Sequence, residues 1–210
     1  MKKLISILCI LVSLAAGGQV GTTSFVAFDV ETTGFSPASE RIVEIGAVKY
    51  LDGQIIQSTH WLINPGMPIK NSHVHGITDE MVAGCPGFSE TYREFQDFVG
   101  NGVLIAHNAS FDVRFMTAEI KRNQLVPLPN PTLNSLTLFR RWFPDAPSHK
   151  LGELAKHLGI PVSVAHRAED DSATLLHILK RGIEARPSVT LEQIKTTANG
   201  TYHFDGSRKK

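Results

Sequence analysis

The chain has 210 residues, of which 42% are hydrophobic and 20% charged, enough apolar material for one compact core and too little length for two ordinary domains. Its 21 basic and 20 acidic side chains leave a formal charge of +1. A polyanion therefore cannot be held by the overall field of the protein, and any nucleic-acid contact must be local to a cleft.

The N-terminus opens Met1-Lys2-Lys3, continues without a charge over residues 4–16, and turns to Gly17-Gly18-Gln19. This is a basic region, an apolar region and small residues at a cleavage point. The apolar run of about 13 residues is shorter than the roughly 17–25 that span a membrane. Residues 1–17 are thus expected to be a cleaved signal peptide, giving a periplasmic or secreted protein with no stable membrane association. A buried first strand or helix is the alternative. Cleavage would remove Lys2, Lys3 and Cys9, taking the charge to −1 and leaving Cys85 with no partner for an internal disulfide.

Residues 24–30 read as a buried strand. Residues 42–51 follow, with Ile42, Val43, Ile45, Ala47 and Val48 before the turn Asp52-Gly53, and residues 54–63 return antiparallel. After the irregular Asn64-Pro65-Gly66-Met67-Pro68 the sequence predicts a helix beginning at Thr78 and another over 89–99 with Phe95, Phe98 and Val99 inward. A short buried strand spans 103–106. A helix over 110–123 ends at the proline-rich 127–131, and helices over 149–158 and 167–186 are separated by Gly159-Ile160-Pro161. This order gives an α/β fold with a mixed sheet covered by helices over residues 24–186. Residues 187–210 have little apolar periodicity, end Arg208-Lys209-Lys210, and are expected to form a solvated tail.

Side chains two apart on a strand share a face, so Asp29 and Glu31 project together while Phe28 and Val30 enter the core. Thr32-Thr33-Gly34 then offers small residues and backbone amides at a turn. Taken alone, an acid pair before a turn is a weak signal that fits a solvated strand end better than a functional site. Asp112, in the first turn of its helix, is similarly explained by the helix dipole, worth about 0.3–1 kcal/mol. In the last helix Asp171 has Leu175 and Ile178 at i+4 and i+7, which puts it above the apolar side, whereas Asp170 stacks over Thr174, His177 and Arg181 and faces water. A carboxylate turned towards the interior needs a metal or a cation to offset desolvation. His166, near the start of that helix, can reach the same cleft.

Taken together, Phe28-Asp29-Val30-Glu31-Thr32-Thr33-Gly34, His107-Asn108-Ala109-Ser110-Phe111-Asp112, and the pair His166 and Asp171 resemble the DEDD exonuclease superfamily, in the subgroup with a histidine five residues before the last aspartate. Asn64-Pro65-Gly66 and His75-Gly76-Ile77-Thr78 extend the resemblance, which is strongest to epsilon-type proofreading subunits and ribonuclease T-like enzymes. It implies a ribonuclease H-like fold, a five-stranded mixed sheet flanked by helices. It also implies that Asp29, Glu31, Asp112 and Asp171 hold two Mg²⁺ or Mn²⁺ ions, that His166 is the general base, and that Thr32, Thr33, Gly34, His75 and Phe111 hold the 3′-terminal nucleotide of single-stranded DNA or RNA. The expected activity is 3′-to-5′ release of nucleoside 5′-monophosphates by an exported, stand-alone enzyme. A cytoplasmic proofreading or RNA-trimming exonuclease is the alternative, and a catalytically silent binding module the third reading. Asn134 departs from the resemblance, standing where such proteins often carry an aspartate, outside the expected metal cluster.

Overall fold

The computed structural model describes residues 20–162 and 167–210. The expected signal peptide and His166 lie outside the described residues. Strands β1 (Phe25–Thr32), β2 (Ile42–Leu51) and β3 (Gln54–Leu62) form the antiparallel meander that the sequence predicts, with Asp52 and Gly53 at φ 49° and 78° in the turn. On its other edge β1 pairs in parallel with β4 (Val103–Ala106), and β4 in parallel with β5 (Thr132–Asn134). Helices α1 (Ser72–His75) and α2 (Asp79–Val82) are single turns, so the helix expected from Thr78 is far shorter than an ordinary one. Longer helices follow: α3 (Phe88–Val99), α4 (Ser110–Arg122), α5 (Ser135–Trp142), α6 (Leu151–His157) and α7 (Ala168–Glu184).

The expectation of five strands and a solvated tail needs correction. Beyond α7 the chain forms α8 (Leu191–Thr197), whose first turn is closed by a reciprocal capping box between Thr190 and Gln193, and then β6 (Thr201–Tyr202) and β7 (Arg208–Lys209). These add antiparallel strands beyond β5, giving a seven-stranded mixed sheet in the order β3-β2-β1-β4-β5-β6-β7. Two forces hold the segment down. Pairing covers the β5 edge, whose amides and carbonyls would otherwise be exposed, and Phe204 is buried edge-on against Phe28 at 5.7 Å between ring centroids.

Alternation along β1 divides the interior. Val26, Phe28 and Val30 pack with Phe95 and Phe115 from α3 and α4, whereas Phe25 and Ala27 pack with Phe139, Leu175 and Leu179 from α5 and α7. Asp29 and Glu31 continue the second set and so face the side that α7 covers. The approach of α7 to β2 depends on Gly46, the partner of Asp29 across the strands: a Cβ there would lie 2.1 Å from the carbonyl carbon of Ala168 and the amide of Glu169. Both are backbone atoms, so no rotamer change relieves the clash.

Gly46→Ala is therefore expected to destabilise the fold by about 1–3 kcal/mol and to displace the first turn of α7. Chemical denaturation measures the loss; wild-type stability in this variant would contradict the packing described.

Candidate active site

Two neighbouring elements bring three carboxylates together. Asp29 and Glu31 extend from the end of β1, and Asp171 comes from the first turn of α7, where its amide bonds to the Arg167 carbonyl at 3.0 Å. One oxygen from each of the three lies within 4.8 Å of the others. Asp112 approaches from the far side of the sheet on α4. Parallel pairing of β1 with β4 ends at Ala27–Ile105, and the Val30 amide beyond that point donates to Asp112 Oδ1 at 3.3 Å. Asp112 is only 2% exposed, more enclosed than a helix-end stabiliser needs to be. Asp171 rather than Asp170 joins the cluster, as the helical spacing predicts, but Asp170 is half-buried rather than turned fully to water, and its charge acts on Arg167.

So many acids in so little solvent are protonated more readily than usual. Burial, followed by the charges of Asp112, Glu31, Asp171 and Glu44, holds the Asp29 carboxyl well above its ordinary range. Burial and then Glu44, Asp171 and Asp112 push Glu31 up to about 8, with Arg167 pulling the other way. Burial raises Asp112 to about 7, against the backbone amides of Asp112 itself and Val30 that donate to it. An all-oxygen donor set of this kind suits a hard divalent cation, which would relieve the repulsion and hold the acids ionised.

Glu44 and Arg167 were not anticipated from the sequence. Glu44 stands opposite Glu31 on β2, is fully buried, and accepts from Arg167 Nη2 at 2.7 Å and Nε at 3.3 Å through Oε1, while its Oε2 accepts from the Ala168 amide at 3.2 Å. The pair caps α7 and fixes the residue that directly follows His166. An acid alone within the apolar run Ile42-Val43-Glu44-Ile45 was the available signal.

The turn after β1 begins with a register shift between Glu31 and Thr32. The Thr32 hydroxyl donates to the Gly34 carbonyl at 2.6 Å, and the Thr33 hydroxyl donates to Glu40 and accepts from the Arg41 amide. Both threonine side chains are thus buried in the turn, leaving Gly34 and Phe35, the latter 83% exposed, at its surface. His75 lies beneath the turn. Its Nδ1 accepts from the Ile77 amide at 3.1 Å, and burial lowers its pKa against an opposing pull from the Thr32 backbone. Phe111 is half-buried beside Asp112, its ring 4.9 Å from that of Phe115. His107 serves structure: Nδ1 and Nε2 lie 2.9 Å from Ser135 Oγ and the His149 carbonyl, and burial pushes its pKa down to about 4. Asn134 accepts from the Leu136 amide and caps α5, so its departure from the expected aspartate has a local use.

A mixed sheet carrying a cluster of partly buried carboxylates at the ends of its parallel strands defines an acid-lined hydrolase site of the ribonuclease H-like class. The exonuclease family model matches residues 26–179, and the chain belongs to that family, as a DEDD-superfamily 3′-to-5′ exonuclease domain. It is 41% identical over 178 residues to the PolC-type DNA polymerase III of Clostridium perfringens and 35% identical over 198 residues to that of Streptococcus thermophilus, covering 82% and 91% of this chain. It spans only 12% and 14% of those relatives. Exonuclease X, solved with 5′-overhanging duplex DNA, superposes with a TM-score of 0.69 at 27% identity, covering 83% of this chain and 99% of that one. Escherichia coli exonuclease I, solved with a dT13 oligonucleotide, superposes at 0.70 and 20% identity over 79% of this chain and 42% of its own. The family uses divalent metal ions.

Glu44→Ala is expected to cost about 2–3 kcal/mol, below the 3–5 of a fully buried pair because Arg167 can turn to water. Thermal melting checks this, and a neutral effect would remove the pair from the account. The carboxyls of Asp29, Glu31 and Asp112 have folded-state pKa values above their unfolded values near 4. Their favourable contribution is therefore complete below about pH 4; that of Asp112 is lost as the pH rises through about 7 and that of Glu31 through about 8, and that of Asp29 is lost in the same direction. Metal-free protein should melt lower at pH 8.5 than at pH 5.5 by about 3 °C or more, equivalent to about 1 kcal/mol, and Mg²⁺ should raise the melting point more at the higher pH. Equal metal-free stability at both values would mean that the acids ionise without repulsion.

Proposed function

We propose that this exonuclease domain hydrolyses single-stranded DNA or RNA from the 3′ end, releasing nucleoside 5′-monophosphates, with two Mg²⁺ or Mn²⁺ ions held by Asp29, Glu31, Asp112 and Asp171. The observation that carries this reading is the convergence of Asp29, Glu31 and Asp171 to within 4.8 Å, with Asp112 at their side. Bound ions supply charge neutralisation for the phosphate and for the departing 3′ oxygen.

The chain's own groups do the rest. His166 takes the proton of the attacking water, whose oxygen bonds to phosphorus as the bond to the 3′ oxygen of the preceding nucleotide breaks. That oxygen leaves with a proton as the new 3′-hydroxyl. The pair Glu44–Arg167 anchors the chain next to the base. Gly34 and the surrounding turn allow the terminal nucleotide to approach closely, and Phe111 offers a partly exposed ring for stacking.

The leader-like residues 1–17 support export of the enzyme, to the periplasm or out of the cell. Similarity to PolC-type DNA polymerase III favours a second reading, proofreading in the cytoplasm.

With 5′-labelled single strands and Mg²⁺ or Mn²⁺, a ladder shortening from the 3′ end is expected, and chelator should abolish it. Asp29→Asn is expected to reduce the rate by at least about 10³-fold, and His166→Ala by about 10²- to 10⁴-fold. Full activity in Asp29→Asn would sink the site. N-terminal sequencing of the protein from cytoplasmic and extracytoplasmic fractions separates the two settings: a chain outside the cytoplasm starting near Gly17 supports export, and a chain confined to the cytoplasm with its leader intact supports proofreading.

A further inference from the structure

We propose that the groove between α4 and the C-terminal hairpin β6–β7 is a binding track for the single nucleic-acid strand upstream of the 3′ end. The proposal rests on the exonuclease reading and adds a site outside the carboxylate cluster.

The groove has a volume of about 480 Å³. One wall is a single helical stripe of α4: Ser110, Val113, Arg114, Thr117, Ala118 and Lys121 follow the i, i+3, i+4 row. Pro37 and Ala38 form a second wall, in the loop that continues from Thr32-Thr33-Gly34, and Tyr202 and Arg208 form the third. Arg122 ties the first wall to the second by donating to the Pro37 carbonyl at 3.0 Å while pairing with Glu119 at 2.9 Å.

Three features identify the occupant. The groove starts beside the proposed site: its first lining residue, Ser110, stands in the turn of α4 that also carries Asp112 on the opposite face of the helix, and its loop wall, Pro37 and Ala38, follows the turn after β1. Its length along α4, about 16 Å at 1.5 Å per residue, accommodates about five stacked nucleotides at about 3.4 Å each. Its charge is one-sided: Arg114, Lys121 and Arg208 line it and no acidic side chain does, in a chain whose acidic and basic residues otherwise balance. Apolar surface between those cations, together with Tyr202 carrying the Arg208 guanidinium 4.9 Å from its ring, suits bases stacked above a phosphate backbone. An acidic peptide would match the charge, but cations interleaved with apolar surface along one helical row, starting in the turn of α4 that carries Asp112, favour the phosphates and bases of a single strand.

The test compares wild type, the triple variant Arg114→Gln/Lys121→Gln/Arg208→Gln, and the control Lys156→Gln on the exposed surface of α6. Fluorescence anisotropy in chelator gives the affinity for a labelled 16-nucleotide strand across a salt series, and cleavage of a trinucleotide is measured with Mg²⁺. The triple variant should lose about 10- to 100-fold in affinity for the 16-mer, with a salt slope shallower by about 2. Its trinucleotide cleavage should stay within twofold of wild type, and the control should bind as wild type does. Because Arg208 also bonds to the Asn199 carbonyl, Lys121→Glu alone serves as a second variant, with an expected loss of about fivefold. Unchanged 16-mer affinity in both variants, or equal losses on trinucleotide and 16-mer, would overturn the track. If wild type cleaves neither substrate while the variants still lose affinity, the exonuclease reading fails and the track stands.

Discussion

Repulsion among closely spaced acids, some buried and the rest half-buried, is the constraint around which the molecule is arranged. Asp29, Glu31, Asp112 and Asp171 converge where solvent screens them poorly, and Glu44 adds a fifth carboxylate on β2 directly opposite Glu31. Arg167 answers only part of this charge, since its guanidinium is committed to Glu44. A hard divalent cation would resolve the remainder, and the same ion would suit a phosphate substrate.

The scaffold meets this constraint with backbone geometry. Strand alternation turns Asp29 and Glu31 towards α7, and the early end of the β1–β4 pairing exposes the Val30 amide that receives Asp112. Glycine at 46 lets the first turn of α7 lie against β2, so that Asp171 reaches the pair on β1. Stability and site geometry are thus coupled: the contacts that start α7 are also those that place its aspartate and fix Arg167, the residue after His166 in the sequence.

Much of this was legible in the sequence. The bounds of β2 follow from its apolar run and the Asp52-Gly53 turn, and the helical stacking of Asp171 over Leu175 and Ile178 distinguished it from Asp170. Features built from few residues were less visible. The strand β5 is three residues long, and α5 follows a proline-rich stretch too closely for its Leu138, Phe139 and Trp142 to stand out as a period. The C-terminal strands are two residues each and owe their place to β5 and to Phe204, partners that no local pattern reveals; the capping box at Thr190 and Gln193 was the one readable sign. Glu44 went unassigned because its partner, Arg167, is 123 residues away.

Isothermal calorimetry of metal-free protein with Mn²⁺, in two buffers of different ionisation enthalpy at pH 7, tests the central claim most directly. The account predicts two bound ions and the release of protons on binding, because the carboxyls of Glu31 and Asp112 are partly protonated without metal. Asp112→Asn should weaken binding and reduce the proton release. Absence of binding, or binding without proton release and unaltered by Asp112→Asn, would contradict it.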